Sequence, residues 1–332
     1  MFKKFNSHLS IGTRLGILSS LFVLSSAAGL WSTVAGDLED LDMAKRERAG
    51  AGYMYRVWNA WHSNSCCDVE DAADLNEIFG TTDEFAAFAN AAPGLARDEA
   101  AAALFIAIAD GSKLTLDPEI SSFYLMDGLV NRIPAMVVTE SRLDNSIEEN
   151  ADAPNRSFVI AANLSALEVA TSLTRDSFSR AINSAPNLAA GLETQLLEAS
   201  RIGDQMVAEE RAALNGSTSI ASTQTEADFP RILGSTWQVG ATRLDEVLRA
   251  RIDRLNNAMY LEVLLCLALL LSAAGGAWLM ARGLGQRFKT LGATMDDLRE
   301  GKVEGAVAFT DDKFETGQIA NTLKVMRDGM AA

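Results

Sequence analysis

Residues 15–36 read LGILSSLFVLSSAAGLWSTVAG, and residues 261–280 read LEVLLCLALLLSAAGGAWLM. The first run carries no charge, and the second carries only Glu262, in its first turn, within reach of an interface. At ~1.5 Å per helical residue, each run matches the ~30 Å hydrocarbon layer of a bilayer. Both read as transmembrane helices, with Trp31 and Trp278 near one end of each, where interfacial aromatics sit. Lys3 and Lys4 ahead of the first run, and the small residues that end it, also fit a cleaved signal peptide, although its apolar core is normally shorter.

The flanks give a direction. Lys3, Lys4 and Arg14 precede the first run, Arg282, Arg287 and Lys289 follow the second, and Asp37, Glu39, Asp40 and Asp42 lie between the two. The positive-inside rule then predicts a cytoplasmic N-terminus over residues 1–14 and spans over 15–36 and 261–280. It puts residues 37–258 outside and 282–332 inside. Arg249, Arg251 and Arg254 oppose this direction.

Composition supports helices around the spans. The chain has 332 residues and only 6 prolines, and 48% of it is hydrophobic, with long Ala-, Leu-, Glu- and Arg-rich stretches lacking polar/apolar alternation. The expected fold class is all-α. Net charge −15 argues against nucleic acid as a partner, since phosphate binding requires clustered Lys and Arg. Cys66 and Cys67 are sequence neighbours and Cys266 lies inside an apolar run, so no disulfide framework emerges. With His8 and His62 as the only histidines, the sequence predicts no enzyme, no cofactor and no metal.

Asp117-Pro118-Glu119 predicts a helix start: Asp117 to cap, Pro118 at the first helical position, Glu119 at the positive end of the macrodipole. Residues 120–138 are apolar round most of the circumference, as in a helix buried between neighbours, and Pro134 should kink it or end it early. Thr81-Thr82-Asp83-Glu84 fits a capping box ahead of a short helix that Pro93-Gly94 closes. Further helices are expected near 155–183, 187–213 and 226–258, with a turn at Asn215-Gly216-Ser217-Thr218. Together these predict an extracytoplasmic antiparallel bundle whose outermost helices continue into the spans. Its length favours two stacked four-helix bundles.

Two stretches, Glu47-Arg48-Ala49-Gly50-Ala51-Gly52-Tyr53 and the fourteen-residue run from Leu114 to Asp127 (LTLDPEISSFYLMD), resemble the sensor region of proteobacterial chemoreceptors of the methyl-accepting type. That resemblance implies a sensory role but assigns no ligand. A small molecule or a periplasmic binding protein is the expected stimulus. Tyr124, Asp127 and Arg132 are candidates to face a ligand, against the plainer reading that neighbouring helices satisfy them. Arg56, near Trp58 and Trp61, suits an anion or a solvated arginine packing its stem on an aromatic. His62, Cys66 and Cys67 are weak metal candidates, since a closed site needs four ligands and adjacent cysteines rarely converge.

After the second run, Phe288, Leu291, Met295 and Leu298 recur at steps of three and four, the seam of a coiled coil. Gly301 should end that helix in a left-handed C-cap. A connector carries Val303 and Val307, and a second helix begins near Glu315 and Gly317 and repeats Ile319, Leu323, Met326 and Met330. This order resembles a HAMP domain over residues 282–332, with Phe314 in place of the usual Asp and Arg287 in place of the usual Pro. The resemblance implies a homodimeric parallel four-helix bundle that relays motion to a cytoplasmic output. Val303 and Val307 would pin the connector, and Glu315 would couple the spans to it.

The expected function is therefore a multi-pass receptor of the bacterial inner membrane, in contact with lipid and signalling in chemotaxis. The alternatives are the sensor half of a histidine kinase or diguanylate cyclase, or a stand-alone membrane adaptor. The last residues follow the second helix directly, so a truncated receptor is expected.

Overall fold

A computed structural model describes residues 11–63, 72–148, 155–214, 223–313 and 315–331. Its elements are α1 (Ile11–His62), α2 (Ala72–Phe79), α3 (Thr82–Asn90), α4 (Leu95–Gly111), α5 (Ile120–Asp127), α6 (Ile133–Glu148), α7 (Arg156–Ser184), α8 (Ala189–Leu214), α9 (Thr223–Arg299) and α10 (Glu315–Ala331). Every regular element among the described residues is helical, as expected. Three helical stretches are long and apolar enough to cross a membrane: Ser20–His62, Arg156–Ser184 and Gln224–Arg299. The middle one was not expected as a span. It places nine residues in a protein core, from Ile160 to Ala181, and its C-terminal half carries Arg175 and Arg180, both ion-paired to carboxylates.

The chain divides into two compact units, one of them Leu38–Asn256. Side-chain pairs give its helix directions. Trp61 meets Asp98 while Arg46 reaches Gly111, so α1 and α4 are antiparallel. Ser177 meets Asp127 while Asn163 reaches Arg142, which sets α7 against α5 and α6. Arg175 pairs with Asp204 and Arg211 with Glu168 across α7 and α8, and Thr236 meets Gln195 while Thr225 meets Gln205 across α8 and α9. The loop returns through α9 to α1 by Arg48–Asp245. The result is an antiparallel helical bundle with one contiguous buried core running from Ala51 to Leu248.

At the centre of this core Trp58 stacks on Trp237, ring centroids 4.5 Å apart and planes 5° from parallel, with Phe105 edge-on to both. Trp237 Nε1 donates to the Leu129 carbonyl over 2.9 Å. That carbonyl lies in a π-helical turn, Gly128–Arg132, in which Ile133 N–H bonds back to Gly128 O. Proline explains the position. Pro134 has no N–H for the Val130 carbonyl and its ring crowds that turn, so the helix widens just before it and then resumes. The predicted kink is thus a widened turn between α5 and α6, and residues 120–138 are not one regular helix.

Two predicted helix starts are corrected in detail. Helix α3 begins at Thr82 as expected, but no side-chain capping bond forms, and Thr81 Oγ1 donates to Asn76 Oδ1 over 2.8 Å. Helix α5 begins at Ile120 with Glu119 as its cap residue, while Asp117 Oδ1 accepts from Glu119 N over 2.9 Å in a turn that precedes the helix.

The other unit comprises Met1–Asp37 and Asn257–Ala332. Its small core joins Leu291, Leu298, Val307, Ala320 and Leu323, with Val303 packed alongside. Gly301 has φ +81°, the left-handed conformation that glycine adopts without a Cβ penalty. Its N–H bonds to Leu298 O, and Lys302 N–H bonds to Asp297 O, so α9 closes in a Schellman cap at the predicted residue.

Candidate functional site

Of the four candidate ligand contacts, the structure joins two directly. Asp127 Oδ2 accepts from Arg132 Nε over 2.8 Å and from Ser177 Oγ over 2.6 Å, and its Oδ1 accepts from Asn131 over 3.0 Å. Burial alone would raise the Asp127 pKa, but the hydrogen bonds from Ser177, Arg132 and Asn131 outweigh it and hold the carboxyl below its ordinary value. Asp127 and Arg132 bracket the π turn and clamp α7 to it. Tyr124 lies apart from this clamp, under the Arg180 guanidinium, 5.6 Å from its ring centroid. Arg56 stands on an exposed face of α1. The four residues therefore form no single pocket, and Asp127 and Arg132 satisfy each other within the bundle.

His62 packs its ring 4.1 Å from Trp58, and its Nδ1 lies 3.1 Å from the Trp58 carbonyl oxygen. Desolvation against these aromatic rings lowers its pKa. Cys66 and Cys67, its proposed partners, lie outside the described residues.

In the helix–connector–helix, the predicted relay residues separate into two rows. Leu291, Leu298, Val307 and Leu323 are buried within the chain, whereas Met295 (60% exposed), Met326 (56%) and Ile319 (43%) face outward with Phe288 and Met330. Glu315 opens α10, where its charge favours the helix N-terminus. Gly317 packs so closely on the connector that a Cβ there would lie 1.7 Å from the Asp312 carbonyl oxygen. Sequence reasoning missed Asp312. It pairs with Arg287 and accepts from Thr316 Oγ1 over 2.7 Å, tying the end of the connector to both helices. The Arg287 guanidinium also lies 5.7 Å from the Phe309 ring centroid. Phe314 lies outside the described residues.

Two charged groupings in the bundle were also missed. A cavity of about 460 Å³ is lined by Glu140, Asp144, Glu210 and Glu226, with Arg156 and the apolar Ile147, Ile160 and Leu214. Burial, then the charges of Asp144, Asp98 and Glu226, push the Glu140 pKa up to about 8. The second grouping is fully enclosed. Arg251 Nη1 donates to Glu47 Oε2 over 2.9 Å and to Asp117 Oδ1 over 3.2 Å, and the side chains are 9%, 0% and 0% exposed respectively. Beside it, Arg254 pairs with Glu119 over 2.7 Å. Two of the three arginines that oppose the positive-inside reading are thus ion-paired within the bundle. Glu47 and Asp117 come from the two stretches that carry the chemoreceptor resemblance.

Burial raises the Glu47 pKa from 4.5 to about 7, Arg251 opposes the rise, and Asp117 and Glu119 add to it. Both Glu47 and Glu140 bind their proton more tightly folded than unfolded. Their stabilisation is complete below the unfolded value and is lost as pH rises through the folded value. The melting temperature of the full chain in lipid nanodiscs should therefore fall as pH rises from about 5 to about 8. Glu140→Gln should remove the upper part of that fall. A melting temperature that stays level over this range would refute the assignment.

Comparison with protein families, with characterised proteins and with solved structures finds no match to this chain.

Proposed function

We propose that the chain is a transmembrane signal receptor of the chemotaxis type. Its sensor is the bundle unit, outside the inner membrane, and its relay is the helix–connector–helix, inside. One observation carries this reading: α1 and α9 each join an apolar run to buried bundle residues in a single helix. Leu41, Tyr53 and Trp58 are buried on α1, and Trp237, Leu244 and Leu248 on α9. Of the three apolar helices, α7 is the one with no separate apolar run outside the bundle, and its Arg175 pairs with Asp204 on α8, so the reading uses two spans. A stimulus that favours one packing of α1 against α9 over another would reach the cytoplasmic side along the same helices.

The outward row of Met295, Ile319, Met326 and Met330 supports a homodimer. These side chains are the natural seam for a second copy, which would complete a parallel four-helix bundle. The small core of each single chain leaves that assembly to supply the rest of the stability.

Topology is tested with the full chain in a bacterial membrane, its own cysteines replaced and one new cysteine placed at Asn187 or at Lys302, both exposed. A membrane-impermeant thiol reagent added outside should label Asn187→Cys and leave Lys302→Cys unlabelled until the membrane is opened. Equal labelling of both from one side would sink the two-span receptor. Met326→Cys should form disulfide-linked dimers under mild oxidant, and persistent monomer would sink the homodimer.

A further inference from the structure

The Glu47–Asp117–Arg251 triad holds two buried carboxylates against one guanidinium. Arginine stays charged at any pH a protein survives, so the enclosed charge can be balanced only at a carboxylate. Glu47 Oε1 and Asp117 Oδ2 are both buried with no hydrogen-bond partner among the described residues. Burying an unpaired carboxylate oxygen costs free energy that a single proton removes, because the protonated acid is a donor as well as an acceptor. Asp117 Oδ1 accepts from both Arg251 and the Glu119 amide, while Glu47 accepts only from Arg251 among the described residues, so Glu47 is the better home for that proton.

We propose that Glu47, held between Arg251 and Asp117, is a proton-binding site through which the receptor reads the acidity on its sensor side. This rests on the receptor reading above and names its stimulus.

The charged groups facing Glu47 come from two other elements. The segment before α5 supplies Asp117 and Glu119, and α9 supplies Arg251, with Arg254 bound to Glu119. The sequence neighbours on α1 are engaged elsewhere: Arg46 donates to Gly111 and Ile78 carbonyls, and Arg48 pairs with Asp245. Burial first, and then the two nearby carboxylates, bring the Glu47 titration to about 7, within the range that environments cross.

The geometry states what the proton does. With Glu47 ionised, one guanidinium ties α1 to both α9 and the α5 entry. With Glu47 protonated, Arg251 is matched by Asp117 alone, and α1 loses its buried ion pair to α9 while the half-exposed Arg48–Asp245 pair stays. Helices α1 and α9 are those that continue into the apolar runs. If two packings of α1 on α9 differ by one unit in the Glu47 pKa, their ratio moves about tenfold across the titration.

The test uses the full chain in lipid nanodiscs, with infrared difference spectra between pH 5 and 8 and spin labels at Lys45→Cys on α1 and Arg249→Cys on α9, in a background without native cysteines. The part of the protonated-carboxyl band that appears as pH falls through about 7 should persist in Glu140→Gln, which removes the part appearing near 8, and should vanish in Glu47→Gln, which leaves the Glu140 part in place. The α1–α9 distance distribution should change over the same range and stop doing so in Glu47→Gln. If Glu47→Gln fails to fold, Asp117→Asn serves instead. Removing the Asp117 charge should move both transitions to lower pH, and an unmoved transition overturns the proposal. No band near 7 in the parent chain overturns proton binding while leaving the two-span topology, tested by thiol labelling, untouched. A band without any change in helix distance overturns the proton as the signal.

Discussion

Arg251→Met is expected to destabilise the bundle by about 3–5 kcal/mol at pH 8, because it leaves Glu47 and Asp117 buried as carboxylates with no counter-charge. Their side chains are inaccessible to water, so neither charge can be rescued by hydration. The loss should shrink at pH 5, where Glu47 takes up a proton and one uncompensated carboxylate remains. Denaturant unfolding of the full chain in detergent micelles, followed by far-UV circular dichroism at both pH values, measures it. A cost equal at the two pH values would mean that Glu47 does not titrate between them. The same substitution separates this pair from the exposed ones. Arg142–Glu99 and Arg175–Asp204 are about half exposed, and such pairs contribute at most about 1 kcal/mol.

Trp237→Ala should cost about 3–5 kcal/mol, the range for deleting a large aromatic from a packed interior. Trp237 is 1% exposed, stacks on Trp58 and holds the Leu129 carbonyl. Trp237→Phe keeps most of the ring contact and loses the hydrogen bond, so it should cost about 1–2 kcal/mol. The same unfolding assay ranks the two. If both variants melt like the parent chain, Trp237 is not the keystone of the aromatic cluster. The π turn adds a second readout, since amide exchange at residues 128–133 should quicken in both variants as the turn loses its tether.

How much of this was legible in the sequence follows from how local each signal is. The apolar runs, the glycine that closes α9 and the break near Pro134 depend on neighbouring residues, and each appears at or beside the expected position. The inward positions of the helix–connector–helix were legible for the same reason. Which of its apolar residues face a second chain was not, because Leu291 and Met295 belong to one seam in sequence and separate only when the connector packs. The triad was hidden by distance, since Arg251 stands 204 positions from Glu47 and 134 from Asp117. In the sequence Arg251 registers only as a misplaced positive charge. Its role depends on which helix faces α9, and no periodicity encodes that. The Asp127–Arg132 pair was visible as two polar residues, yet the widened turn that brings them together, with Ser177 opposite, was not. Thr81 shows the limit of motif reading: the capping-box pattern is present, but the Thr81 hydroxyl turns to Asn76 and no side-chain capping bond forms.

The π turn has a genetic consequence. A helix that bonds i to i−5 at one place carries one residue more than an α-helix of the same span. Losing any other single codon from α5 to α6 would rotate everything downstream by about 100° and carry the core stripe away from its neighbours. Between Gly128 and Arg132, the loss of one codon would instead leave the faces of α5 and α6 in register, with the missing Pro134 N–H as the one gap in the bonding pattern. The Leu129 carbonyl would withdraw from Trp237, and the Asp127–Arg132 pair would lose the widened turn that brings it together. The gene thus contains one short window where a frame-preserving deletion changes a tether and leaves the bundle's architecture intact.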